Sequence, residues 1–172
     1  MISVVGIGNA ASKIADLFSD TNNYEVYTLN DSVKRSSKRK FKLKNFDTPE
    51  EYEGNIPDLK NFFSDISTDI QVIVVGSSYS SNYVLGILEQ IKDKNLDVFY
   101  IKPDSDLLTG TPKLIENTVF GVLQEYARSA MFGSLTIISN LEIEKSLDNI
   151  PIKRYYEAIN NTIFSMIHYV NY

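Results

Sequence analysis

The sequence predicts one α/β domain over residues 1–172: a Rossmann-like parallel sheet with helices on both faces, ending in a long buried helix. Three observations lead there. Near-continuous apolar runs alternate with amphipathic stretches of helical period, which is how parallel strands buried on both faces read. The first run passes through Gly6-Ile7-Gly8 straight into a helical stretch, a tight strand-to-helix turn. No internal repeat or low-complexity linker interrupts the alternation. A chain of 172 residues is also long enough to bury about 70% of its unfolded surface in one core.

The elements follow in order. Met1 to Ile7 is an apolar strand, and Asn9 to Phe18 a helix with Ile14, Leu17 and Phe18 on one face. Asp20 to Asn23 is a polar turn. Tyr24 to Leu29 is a second strand closed by Asn30-Asp31, and Lys40 to Leu43 a short third one. Pro57 to Ile66 groups Leu59, Phe62, Phe63 and Ile66 as a short helix would. Ile70 to Val75 is the clearest buried strand, followed by a helix from Tyr83 to Ile91. Val98 to Ile101 is a strand closed by Lys102-Pro103, Lys113 to Arg128 a helix, and Leu135 to Ile138 a strand. Glu142 to Leu147 is a short helix. Ile152 to Val170 is the long last one, with Pro151 before its first turn.

Composition excludes several classes. Apolar residues at 43% and charged residues at 23% are those of a globular chain, not of a disordered tail or coiled coil. No apolar run approaches the roughly 20 residues that cross a bilayer, and Met1 to Val5 lacks the basic start of a signal peptide. A cytoplasmic protein with no membrane contact is expected. There is no cysteine, so no disulfide or thiolate site, and the one histidine, His168, cannot build a multi-histidine metal site. A net charge of −5 argues against nucleic acid as a partner. The local exception, Lys34-Arg35-Ser36-Ser37-Lys38-Arg39-Lys40, reads as a solvated loop.

In open parallel sheets ligands sit at the carboxyl ends of the strands, where the strand order reverses. Three loops qualify: Gly6 to Ser12, Gly76 to Asn82, and Ser139-Asn140. The first fits G-x-G-x-x-G/A, a pattern that lets backbone approach phosphate at a helix N-terminus. With Asp31 near the end of the second strand, a dinucleotide-binding oxidoreductase is one reading. A tight turn with no ligand is another, since any such turn uses glycine.

Taken together, the loops resemble the nucleotide-binding domain of the tubulin/FtsZ superfamily. The quoted residues are Gly8-Asn9 at the first helix start, Asn30-Asp31 ending the second strand, and Gly54-Asn55-Ile56-Pro57 opening the third loop region. Gly76-Ser77-Ser78-Tyr79-Ser80-Ser81-Asn82 stands where the family carries GGGTGTG, and Gly76 to Lys92 aligns without a gap. Lys102-Pro103 closes the next strand as in FtsZ. Asn140 follows a strand, and Tyr156 and Asn160 lie one turn apart on the long helix, where the family reads guanine. The resemblance implies GTP or GDP as ligand, with Mg as the ion that could accompany it. It assigns base recognition to Asn140, Tyr156 and Asn160. Phosphate contact falls to Gly8, Asn9 and the Gly76 to Asn82 loop, with Lys113 as a cation after Gly110. Amide groups suit the guanine edge and a tyrosine ring can stack on the base. Each also has an ordinary explanation: Asn140 as a helix cap, Tyr156 as core packing, Lys113 as a solvated helix start.

Two departures qualify the resemblance. Serines, Tyr79 and Asn82 replace glycines and threonine of the signature, so left-handed backbone there would be costly for all but Asn82, and Tyr79 adds bulk where phosphates should lie. The chain also stops at Tyr169-Val170-Asn171-Tyr172, about where the family's acidic catalytic loop would begin, so no catalytic acid is assigned and GTP turnover near background is expected. Asp104 and Asp106 would face the protein's own nucleotide, and Glu142 and Glu144 the base. The last helix is apolar nearly all round, which implies burial on both sides or self-association, or contact with an FtsZ- or tubulin-like partner. A degenerate interaction module without nucleotide is the remaining alternative.

Overall fold

The computed structural model describes residues 1–76, 78–147, 151 and 154–172. Six strands form one parallel sheet: β1 (Ile2–Ile7), β2 (Tyr24–Asn30), β3 (Lys40–Lys42), β4 (Asp69–Val75), β5 (Asn95–Lys102) and β6 (Ser134–Ser139). Their order is β3-β2-β1-β4-β5-β6, so the chain reverses direction across the sheet between β1 and β4. Val5 pairs with Tyr27 on one side and Val72 on the other, and Val72 continues to Val98 and Leu135.

The helices are α1 (Asn9–Asp16), α2 (Pro49–Gly54), α3 (Val84–Glu89), α4 (Gly110–Arg128), α5 (Asn140–Ser146) and α6 (Tyr155–Asn171). Alternation along each strand sends residues to two cores. Val5, Ile7, Val72, Val74, Val98 and Tyr100 pack with α3 and α4 residues such as Ile87, Leu88, Val119 and Leu123. Val4, Ile73, Phe99 and Ile101 pack with Ala11, Ile14 and Ala15 of α1 and Ile159, Ile163 and Ile167 of α6.

Three expectations are corrected. The segment from Pro57 to Ile66 is not a helix. It makes single turns, Leu59 O to Phe63 N (2.9 Å) and Phe63 O to Ile66 N (3.1 Å), that do not propagate. Asp58 Oδ1 takes the Lys60 N–H (3.0 Å) and Gln90 Oε1 takes that of Leu59 (2.8 Å), donors that a first helical turn leaves free in any case, so these bonds fix how the segment enters its turns. Leu59, Phe63 and Ile66 are buried nonetheless, which is what their spacing reflected. Second, α2 forms where no helix was expected. Thr48 accepts from Glu51 N and its hydroxyl donates to Glu51 Oε1, with Pro49 in the first turn, an N-terminal box that starts a helix with little apolar face. Third, α6 begins at Tyr155, and Ile152 lies outside the described residues.

The last helix is not buried on both sides. One stripe, Ile159, Ile163 and Ile167, enters the core, while Met166, Tyr169, Val170 and Tyr172 are exposed. Its C-terminal end is pinned. Asn171 and Gln71 exchange amide hydrogen bonds (2.6 and 2.8 Å), Asn171 donates to the Tyr24 hydroxyl (3.2 Å), and His168 shares a 2.7 Å bond with the same hydroxyl. Tyr24 opens β2 and Gln71 lies near the start of β4. The helix therefore runs antiparallel to the strands, and its first turns lie at their carboxyl ends.

Candidate functional site

The reversal between β1 and β4 puts the loop after β1 against the loop after β4. Gly8 has φ 98° and ψ 167°, a conformation closed to residues with a side chain. Its N–H donates to Leu29 O of β2 (2.7 Å), and a Cβ there would stand 2.6 Å from Ser80 Oγ. The two loops thus touch at Gly8 and Ser80. Gly76 is needed for close approach: a Cβ would strike the Tyr100 hydroxyl and lie 2.9 Å from Pro103 Cδ.

Asn9 does not point freely at a ligand. Its amide donates to Asp31 Oδ1 (2.5 Å) and accepts from Ser32 Oγ (2.9 Å). Asn45 donates to the other Asp31 oxygen (2.6 Å). The Asn45 bond leads in holding the Asp31 carboxyl below its ordinary value, burial opposes, and Asn9 adds to the lowering. Both oxygens of the carboxylate that a dinucleotide's ribose would want are therefore occupied from within the chain.

The serine-rich loop avoids the strain expected of it. Among the described residues only Ala130 has positive φ without being glycine, so Asn82 is not left-handed. Residues Tyr79–Tyr83 wind into a 3₁₀ turn, with Ser78 extended before it. Ser78 Oγ lies 2.9 Å from Ser80 Oγ and 3.2 Å from Ser81 Oγ, and Ser81 donates to Val75 O (2.9 Å). Asn82 is buried and donates back to Tyr79 O (2.9 Å). The Tyr79 ring leans on Tyr52 of α2, 6.1 Å between centroids, rather than filling the crevice. Ser77 lies outside the described residues.

At the carboxyl end of β6 the ordinary explanation for Asn140 fails. The cap of α5 is Ser139, whose hydroxyl accepts from Glu142 N (3.3 Å), so Asn140 begins the helix without capping it. Packing does not explain Tyr156 either. It lies on the same stripe of α6 as Ile159, Ile163 and Ile167, yet it is 76% exposed. Asn160 follows one turn later, half-buried. Neighbouring Tyr155 lies beside Glu144 of α5, whose influence leads in pushing its hydroxyl up to about 12. α5 and α6 pack against each other, with Asn140 at the start of α5 and Tyr156 and Asn160 in the first turns of α6. Lys113 sits exposed in the first turn of α4, after Gly110 (φ 63°).

Sequence reasoning missed one cluster beside Gly76. Glu116 of α4 is 1% exposed, and its Oε1 accepts from both Lys102 Nζ (2.8 Å) and the Tyr100 hydroxyl (3.2 Å). Lys102 also lies 4.5 Å over the Phe120 ring. Burial, reinforced by Glu116, drives the Tyr100 hydroxyl far above its ordinary value. A lone Glu on an amphipathic helix gives no signal of this. Among the described residues, no group of three or more His, Cys, Asp or Glu could hold a metal, and no helix is long and apolar enough to cross a membrane.

No protein-family model and no curated protein matches the chain. Among solved structures it is similar to an empty FtsZ dimer from M. jannaschii, with TM-score 0.67 at 14% identity over 96% of this chain and 52% of that one. The chain thus spans about half the length of that FtsZ chain, and the likeness is one of fold. Short-chain dehydrogenase/reductases are also similar. One from Vibrio parahaemolyticus has TM-score 0.46 at 15% identity, covering 79% of this chain and 73% of that one. Another from Saccharomyces cerevisiae has TM-score 0.44 at 11% identity, covering 94% and 83%.

Proposed function

We propose that the chain binds a guanine nucleotide at the carboxyl edge of its sheet, as a tubulin/FtsZ-like protein related to cytoskeletal filaments. The observation that carries the reading is the corner at β6 and α6. Asn140 begins α5, and Tyr156, which is exposed, and Asn160 lie one turn apart at the start of α6; together they would supply a stacking ring and two amides. The FtsZ-like fold supports it. Phosphates would lie over Gly8 and the free N–H groups at the start of α1, beside Ser78 to Asn82 and within reach of Lys113. Among the described residues no carboxylate cluster would hold Mg, so the phosphates would have to supply its ligands. The exposed outer side of α6, with Tyr169 and Val170, is the surface this reading gives to a second copy or a filament-forming partner.

Titration calorimetry with GDP, GTP, ATP and NAD tests the reading. Guanine nucleotides should bind, and Asn160→Ala should weaken them by about 1–3 kcal/mol, the cost of a lost buried hydrogen bond, without altering the fold. Equal affinity in the variant removes Asn160 from base recognition. Binding of NAD alone would favour a dinucleotide enzyme, against which the double engagement of Asp31 already weighs. Binding of none would favour an interaction module. The 172 residues should release phosphate from GTP at or near background. Release that rises steeply with protein concentration would refute this.

A further inference from the structure

Seven of the 17 Lys and Arg residues fall between Lys34 and Lys44, with no Asp or Glu among them, leaving 10 cations against 22 carboxylates elsewhere. Such a stretch ordinarily dissolves into solvent as a loose loop. Here it is built into the fold. Lys40–Lys42 pairs with β2, and Arg39 O accepts from Thr28 N (2.9 Å). The outer edge of β3 is closed by its own loop: Ser37 N donates to Lys40 O (2.7 Å) and Lys42 N to Ser36 Oγ (2.9 Å). Asn30 Oδ1 accepts from Ser32 N and Val33 N (3.0 and 3.1 Å) and fixes the preceding turn. Because the edge is closed, an added strand cannot pair there, which leaves side-chain recognition.

That frame shapes a shallow, open depression lined by Asn30, Ser32, Val33, Lys34, Arg35 and Lys40, with no carboxylate in its wall. Among the described residues the one ion pair made by the stretch is Arg39 to Glu25 (3.5 Å), on the far side. Asp31, the nearest acid along the chain, stays ionised but is held by Asn9 and Asn45 and is outnumbered by the three cations of the depression. Asp16 feels Lys40 and is the other carboxylate in the neighbourhood. Three cations therefore face one shallow hollow. An arginine fork and two point charges on an open surface match a compact multivalent oxyanion.

We propose that this hollow at the carboxyl end of β2 is a phosphate-binding site for a small phosphorylated molecule, separate from the crevice between β1 and β4. Inorganic pyrophosphate is the probe, followed on the full chain by amide NMR at low salt. Saturable shifts at Ser32, Lys34, Arg35 and Lys40 are expected. Affinity at these amides should fall about tenfold in Lys34→Ala/Arg35→Ala, two exposed positions whose loss leaves the melting curve in place. The amides of Gly8 and Ser80 report the other crevice. Shifts at Ser32 to Lys40 without shifts at Gly8 and Ser80 support this site and leave the nucleotide reading, which rests chiefly on the base, to the calorimetry with GDP and GTP; the reverse pattern overturns this site alone. No saturable shift, an unchanged affinity in the double variant, or tighter binding of a short polyglutamate or single-stranded DNA at these residues would each overturn the proposal.

Discussion

Lys102→Met should destabilise the chain more than Glu116→Gln, although both break the same ion pair. The reason is unequal burial. Glu116 is 1% exposed, whereas the Lys102 side chain keeps 32% of its surface in water. Removing the lysine strands a carboxylate in the core with only the Tyr100 hydroxyl beside it, a situation that costs about 3–5 kcal/mol when a buried pair is broken. The lower end applies, because Met retains much of the contact with Phe120 and the partial exposure of the site admits some water. Removing the glutamate charge instead lets the Lys102 ammonium swing outward, and the Gln oxygen still accepts from Tyr100 (3.2 Å in the parent chain). About 1–1.5 kcal/mol is then expected, one net hydrogen bond. Against a total stability of order 5–15 kcal/mol the difference is easily measured. Urea unfolding at neutral pH, with equal m-values required, gives both numbers. The double variant should cost less than Lys102→Met alone, since no charge is left stranded. If Glu116→Gln proves the costlier change, or the two effects simply add, the cluster is not a buried pair in which the carboxylate depends on the lysine.

Two further outcomes follow from the loops. Gly8→Ala should lose about 1–3 kcal/mol through backbone strain at φ 98°, and Ser80→Gly in the same chain should recover only the part owed to the 2.6 Å encounter with Ser80 Oγ; a silent Gly8→Ala in urea unfolding would show that the loop conformation is not fixed. Asn45→Ala should raise the Asp31 carboxyl back toward 3.8, because the Asn45 bond leads in lowering it. The stabilisation this carboxylate supplies is fully present above 3.8 and disappears as pH falls through its lowered value, so the variant should lose less on acidification. A carbon-detected NMR titration of Asp31 that is unmoved by the substitution would refute the assignment.

The strands were legible because parallel strands buried on both faces become unbroken apolar runs, and β1, β4 and β5 are of that kind. The helices were legible in proportion to their apolar stripe. α2 has only Tyr52 buried and escaped notice, although Thr48-Pro49-Glu50-Glu51 is a start signal that could have found it. The opposite error at Pro57 to Ile66 has the same source: apolar spacing records which residues are buried, not whether successive turns propagate into a helix. Site residues on strand ends were placed by the order of the elements. What remained hidden were partnerships across the chain. Asn45 meets Asp31, and Glu116 meets both Tyr100 and Lys102, and no local pattern in the sequence announces either.

The serine loop differs in its chemistry from a glycine-rich phosphate loop, and the difference bears on the proposed nucleotide site. A glycine-rich loop presents backbone N–H groups through left-handed conformations that cost it nothing. This loop instead winds into a 3₁₀ turn and turns its hydroxyls on one another, with Ser78 between Ser80 and Ser81 and with Ser81 anchored to Val75 O. An incoming phosphate would have to replace the Ser78–Ser80 bond before gaining either hydroxyl, an exchange of hydrogen bonds of nearly equal worth, about 0.5–1.5 kcal/mol each. Little net affinity can come from that step. Of the nearby cations, Lys102 is held on Glu116, and Lys113 is exposed and screened by solvent. What is left to favour an anion is the left-handed turn at Gly8 and the first N–H groups of α1. Affinity for a nucleotide would therefore reside chiefly in the base corner at Asn140, Tyr156 and Asn160. Diphosphate and triphosphate forms should then bind alike, within about threefold, in the same calorimeter. A preference of a hundredfold for GTP over GDP would mean that the serine loop rearranges around the terminal phosphate.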